Sequence, residues 1–205
     1  MSADLSADDA RLLALHAQGL TREAPTPVGV RELLQTLGAI QLDTISVLAR
    51  SHEIVPFSRL RHVDREDVAQ AYWGRPSRAF EYWAHEACVL PIEAWPWFEF
   101  RRRRWRDHYR ANPRLAREKR GVLARLRERG PSTAAELGSS GRTGPWWDWH
   151  PVKVAVEILL RTGEVTCVAR RGWQRVYSLT DTAVPARLHR QQPGDRECLI
   201  HLSTE

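Results

Sequence analysis

The chain has 205 residues, with 31 Lys or Arg against 25 Asp or Glu, a formal charge of +6 and a pI of about 9.8. That length accommodates one or two packed domains; no apolar run approaches the roughly 20 residues of a bilayer crossing and no charged-then-apolar leader opens the chain, so neither a membrane protein nor a secreted one is expected. Three scattered cysteines, Cys88, Cys167 and Cys198, exclude a disulfide scaffold and a CxxC metal knuckle, and point to a reducing, cytoplasmic setting.

In chain order, Ser6 with Asp9 is a capping-box pattern, opening a helix that carries Leu12, Leu13 and Leu15 to Gly19. Thr26-Pro27 opens a second helix, with Val30, Leu33, Leu34 and Leu37 at helical spacing and Gly38 closing it. Residues 39–45 (Ala-Ile-Gln-Leu-Asp-Thr-Ile) alternate with period two and read as a short strand. Asp64 with Asp67 caps a helix through Tyr72 and Trp73, which Gly74-Arg75-Pro76 breaks. The aromatic segment Phe80 to Leu90 reads as buried. From Pro91 a helix carries Trp95, Trp97, Phe98 and Phe100 through an arginine block to Asn112-Pro113.

Between Arg101 and Arg129, twelve arginines and one lysine face only Asp107, Glu118 and Glu128, which leaves the rest of the chain net acidic. Positive charge gathered in one stretch is the footprint of a protein that meets phosphates. The same run also fits an arginine-biased composition, 29 Arg to 2 Lys, on a solvated helix face.

The last third has a different rhythm. A helix from Arg114 to Arg129 ends at Gly130-Pro131, Ser132 or Thr133 caps a short helix through Leu137, and Gly138 to Gly144 is a loop. A third helix runs from Pro151 to Gly163, followed by strands Glu164–Ala169 and Gln174–Leu179 joined by Arg170-Arg171-Gly172-Trp173. Three helices and a basic-tipped hairpin make a winged helix; a three-helix bundle with an incidental hairpin is the alternative. The expected class is mostly α with small β hairpins (α+β), as a unit over 1–112, a second winged helix over 113–185 and a polar tail over 186–205. In that tail Leu199-Ile200-His201-Leu202 has no evident partner element.

Gln41-Leu42-Asp43-Thr44-Ile45, Arg50-Ser51-His52, Trp83-Ala84-His85-Glu86 with Leu90-Pro91, and Trp146-Trp147-Asp148-Trp149 leading to Lys153 and the Arg170–Tyr177 hairpin together resemble the YcaQ/AlkZ family of crosslink-repair DNA glycosylases. The resemblance spans about residues 5 to 185, and the Gln-apolar-Asp form is similar to the YcaQ branch. It implies tandem winged helices and hydrolysis of the N-glycosidic bond of N7-alkylated purines, including interstrand-crosslinked guanines, with double-stranded DNA as partner, no cofactor, and a monomer acting on the nucleoid. Members of that family continue into a third winged unit and a β-rich region, so this chain reads as C-terminally truncated.

Two residues apart on a strand, Gln41 and Asp43 project from one face while Ile40 and Leu42 anchor the other. An N7-alkylated base already carries positive charge and leaves neutral, so the general acid of a two-carboxylate glycosidase is dispensable. What remains is to stabilise an oxocarbenium-like sugar and to orient and deprotonate a water, for which Asp43 serves as base and Gln41 as its positioning partner. By spacing alone Asp43 reads instead as an N-cap before Thr44; the resemblance reverses that. His52 and His85 are possible assistants, although a histidine in such places is more often structural. His85-Glu86 with Cys88 lacks the downstream Pro-Cys-x-x-Cys of a zinc deaminase, so no metal is expected. Arg170, Arg171 and Gln174 around the hairpin turn are placed to enter a groove, with Arg50, Ser51, Lys153, Trp173 and Arg175 as further DNA contacts. Nine of the 17 aromatic residues are tryptophans; Trp146, Trp147 and Trp149 suit either base stacking or packing between the two units. A sequence-reading transcription factor is the competing class, but the helix from Pro151 offers only Lys153, Glu157 and Arg161 for base edges.

Overall fold

Two small antiparallel sheets organise the computed structural model, which describes residues 5–110, 113–139 and 150–204. In the first, β2 (Ala79–Trp83) and β3 (Ala87–Pro91) form a hairpin, and β1 (Ile40–Gln41) pairs with β3 through Ile40 opposite Val89 and Gln41 opposite Cys88. Helices α2 (Val30–Leu37), α3 (Ser51–Phe57) and α4 (Arg65–Trp73) complete that unit, burying Leu33, Leu34 and Tyr72 against Ile40, Leu42 and Val89. The second half repeats the connectivity. After α5 (Glu99–Tyr109) come α6 (Pro113–Arg129), β4 (Ser132–Thr133), α7 (Pro151–Thr162) and the hairpin β5 (Val165–Arg171) and β6 (Gln174–Leu179), in the order β4-β6-β5. In each sheet the short first strand closes onto the last one.

The β2–β3 hairpin escaped the sequence pattern for a physical reason. Four of the five residues of each strand are buried, so both faces are covered and the apolar/polar alternation vanishes. The strand expected over 39–45 stops at Gln41, with Leu42 N–H still donating to Ala87 O at 2.7 Å before the chain turns. Helix α2 starts at Val30 rather than at Thr26-Pro27; Glu32 reaches back to accept Val28 N–H at 2.7 Å. A 3-10 helix, Ile92–Phe98, precedes α5 because Pro96 offers no N–H to an α ladder. The short helix expected over 133–137 is a single turn. Its capping bonds form, with Thr133 N–H donating to Glu136 Oε2 at 2.7 Å, but Gly138 at φ +98° ends it. Trp146, Trp147 and Trp149 lie outside the described residues.

After α8 (Thr180–Ala183), the segment expected over 186–205 to be an unpartnered tail folds into α9 (Ala186–His189) and α10 (Asp195–Thr204). Val184 and Leu188 join the core of Phe80, Tyr82, Trp95 and Phe98, Cys198 is fully buried, and Trp97 stacks on His201 with ring centres 3.9 Å apart. The aromatic segment after Pro91 needs a cover, and residues a hundred positions downstream supply it; no local period reports such a contact. Conversely α1 (Ala7–Ala17) forms with the expected Ser6–Asp9 capping box yet buries none of its residues.

The two halves are joined at the end of α7. Tyr82 OH donates to Arg161 O at 2.6 Å and Arg106 to Thr162 O at 3.0 Å, so the first half caps carbonyls that the end of α7 leaves unpaired. Gly163 follows at φ +81°, where a Cβ would lie 2.2 Å from Arg102 Cδ. Arg102 is buried and held by Glu99 at 2.9 Å and by Trp95 O at 2.6 Å, so it has no room to yield. Gly163→Ala should therefore cost about 3 kcal/mol of stability, measured by urea unfolding.

Candidate active site

Gln41 is exposed at the end of β1 and Asp43, half-buried, follows just past it, while Ile40 and Leu42 are buried. Ser51, the first residue of α3, ties the motif backbone to that helix: its hydroxyl donates to Gln41 O at 2.7 Å and accepts Asp43 N–H at 3.2 Å. Asp43 caps no helix at Thr44. Its Oδ1 accepts Ile45 N–H at 2.9 Å in a tight turn, while Oδ2 has no protein partner among the described residues. Gln41 Oε1 lies 3.2 Å from Nε2 of His85, which the β2–β3 turn carries. Of the two candidate assisting histidines, His85 is thus the one that joins the pair. His52 is buried among Tyr72, Trp73 and Trp173, and burial lowers its pKa to about 4, which keeps it neutral near pH 7.

The tip of the second hairpin reaches this place. Gly172 and Trp173 both have positive φ, +52° and +70°, as a two-residue turn matching the strand twist demands. A tryptophan in that region is strained, and its ring is held firmly: Arg50 and Arg170 stack their guanidiniums 3.8 and 3.9 Å from its centre, and His52 lies 5.2 Å away. Arg50 also donates to Thr44 O at 2.8 Å, so the motif loop and the hairpin tip share one stack. A cleft of about 500 Å³ opens between the halves, lined by Leu42, Thr44, Lys153, Trp173, Gln174 and Tyr177 among others.

A family model for AlkZ-like DNA glycosylases matches residues 34–204, which takes in the motif, both sheets and α10. The chain belongs to the AlkZ-like DNA glycosylase family. No solved structure matches it. Membership implies a DNA substrate. No helix among the described residues is long and apolar enough to cross a membrane.

In this AlkZ-like chain the residues singled out for DNA contact divide into two groups. Arg171 and Gln174 face solvent, Arg171 in a surface pair with Glu136 at 2.7 Å. Arg170 and Arg175 turn inward; their side chains are only 9% and 18% exposed. Arg170 grips both oxygens of Glu81 at 2.7 Å, Arg175 bonds the same carboxylate at 2.8 Å and Glu157 at 3.1 Å, and Lys153 pairs with Glu157 and Tyr177. The arginine block behaves similarly in part. Arg102, Arg103 and Arg106 bond Glu99, Asp195 and main-chain carbonyls, whereas Arg104, Arg117, Arg120 and Arg127 are exposed.

Glu81 went unnoticed in the sequence, and Glu157 was read there only as a polar residue facing base edges. Burial alone would raise the pKa of Glu81, but the two guanidiniums outweigh it and hold the carboxyl at about 2. Glu157 is likewise held below its ordinary value, against its burial, by Arg175 and Lys153. A usable signal existed: an acid inside Phe80-Glu81-Tyr82-Trp83, a run otherwise fit for a core, demands a buried cation.

Proposed function

We propose that this chain hydrolyses the bond between deoxyribose and N7-alkylated purines in double-stranded DNA, guanines of interstrand crosslinks included. The observation that carries this reading is an exposed amide and a half-buried carboxylate two residues apart on one anchored motif, beside a cleft between the two halves, with the carboxylate oriented by Ile45 N–H and the amide by His85. Asp43 Oδ2 takes the proton of the attacking water and its charge stabilises the developing oxocarbenium. Gln41 holds that water, with His85 keeping the amide in place. The departing base is neutral once the bond breaks, so no protonating acid is needed opposite Asp43.

The repeated connectivity of the two sheets supports reading both halves as winged helices, with the Gly172-Trp173 turn as the second wing. We place the protein in the cytoplasm as a monomer working on chromosomal DNA. A regulator reading base edges through α7 is disfavoured, since eight of its twelve residues are buried and Lys153 is engaged by Glu157.

The test is release of 7-methylguanine from methylated duplex DNA by the purified chain. Release supports the reading; a folded protein that binds the duplex and releases nothing overturns it. For binding, Arg171 is the exposed wing cation. Arg171→Gln should weaken duplex affinity and reduce the slope of log K against log salt by about 0.9, the value for one lost phosphate contact. An unchanged slope would remove the wing from the interface.

A further inference from the structure

Between β1 and α3 the motif loop holds three large aliphatic side chains out in water. Ile45, Val47 and Leu48 are 70%, 88% and 89% exposed, and Phe57 on the adjoining helix is 75% exposed. A lone exposed aliphatic is ordinary, but three within four residues of an irregular loop contribute nothing to a core and mark a contact surface. The loop's base is firmly tied. Ile45 N–H donates to Asp43, Arg50 donates to Thr44 O, and Ser51 bridges Gln41 and Asp43 at the start of α3. Apolar tips are thus carried on an anchored root, two to five residues beyond the carboxylate.

We propose that this loop is a wedge: Val47 and Leu48 enter the base stack of duplex DNA beside the nucleotide whose glycosidic bond faces Asp43, with Ile45 packing behind them. The inference rests on reading Asp43 as the attacking site. DNA is the occupant that the surroundings favour. The family's substrate is DNA, the loop is hydrogen-bonded to Asp43 itself and so lies beside any sugar that reaches that carboxylate, and residues 44–52 carry Arg50 and no acid to repel phosphates. An aliphatic wedge gains by leaving water for the apolar faces of bases, and it loosens the stack where a bulky or crosslinked purine has to be exposed. Short aliphatic tips also select by space rather than by hydrogen bonding, as suits a site that must accept varied N7 adducts.

The experiment uses a duplex with 2-aminopurine placed 5′ to a 7-methylguanine, titrated with the full chain carrying Asp43→Asn so that no base is released during the reading. Binding should raise 2-aminopurine fluorescence several-fold as stacking is lost. Adding Val47→Ser and Leu48→Ser should abolish the rise while anisotropy shows duplex affinity reduced by less than about tenfold, and Leu48→Met alone should keep the rise. Both positions lie in water, so the thermal midpoint should not change. In the chain with Asp43 intact, the same double substitution should slow single-turnover release of 7-methylguanine by about tenfold or more. A parent protein that binds the duplex without unstacking it, or a double variant that unstacks and cleaves as well as the parent, overturns the wedge. Self-association in sedimentation that the double variant abolishes also overturns it, by assigning the loop to a second copy of the chain. Unstacking without base release from the unsubstituted chain instead counts against Asp43 and leaves the wedge standing.

Discussion

Replacing Asp43 with Asn is expected to cut release of 7-methylguanine from methylated duplex DNA by about a hundredfold or more, with duplex affinity changed by no more than about twofold. The substitution preserves shape, and an amide oxygen can still accept Ile45 N–H, so the turn that presents the side chain survives. What disappears is the charge. A neutral amide neither takes a proton from water nor stabilises a cationic sugar, and both losses fall on the transition state rather than on the bound duplex. The measurement is single-turnover base release beside binding by anisotropy on the same protein. Equal loss of affinity and turnover would make Asp43 a binding or structural residue, and undiminished release would move the chemistry elsewhere.

Glu81→Gln should lower unfolding free energy by about 3 to 5 kcal/mol. One buried carboxylate serves Arg170 and Arg175 and also accepts from Trp73 Nε1 at 2.9 Å. Glutamine keeps the volume but supplies one acceptor and turns an NH2 toward the guanidiniums, leaving buried positive charge uncompensated. Because Glu81 belongs to the first half and both arginines to the second hairpin, the loss should also loosen the stack of Arg170, Trp173 and Arg50 and with it the grip on the motif loop. The pH dependence separates this origin from simple packing. A carboxyl held at about 2 in the folded state, against an ordinary 4.5, contributes stability that is fully present above pH 4.5 and is lost as pH falls toward 2. Glu157, also depressed, acts in the same direction. Urea unfolding between pH 6 and pH 3 should show the native chain losing more stability than Glu81→Gln; parallel losses would assign the effect to other groups.

The sequence carried more of the second half than of the first. Helix α7 is bounded by Pro151 and Gly163, and the β5–β6 hairpin turns at Gly172 on an exposed tip, so turn and boundary residues report them. The β2–β3 hairpin is covered on both faces and left no alternation to read, and the helices after Pro185 are held by aromatic residues nearly a hundred positions earlier. At the candidate site, the burial of Ile40 and Leu42 was legible in the alternation, whereas the turn that carries Asp43 just past the end of β1, tied to Ser51 and Ile45, was not.

Chemical type, by itself, was therefore a property of the sequence: an amide and a carboxylate two residues apart, a basic-tipped hairpin, and motifs in an order that marks a DNA glycosylase family. Which charges are available was decided only by the tertiary structure. Arg170 and Arg175 look like DNA contacts along the chain, but Glu81 and Glu157 reach them from distant elements and bury them, while Arg171, one residue away on the opposite face of the strand, stays in solvent. Burial and ion pairing depend on what approaches from elsewhere in the chain, and a one-residue step along a strand reverses which side that is.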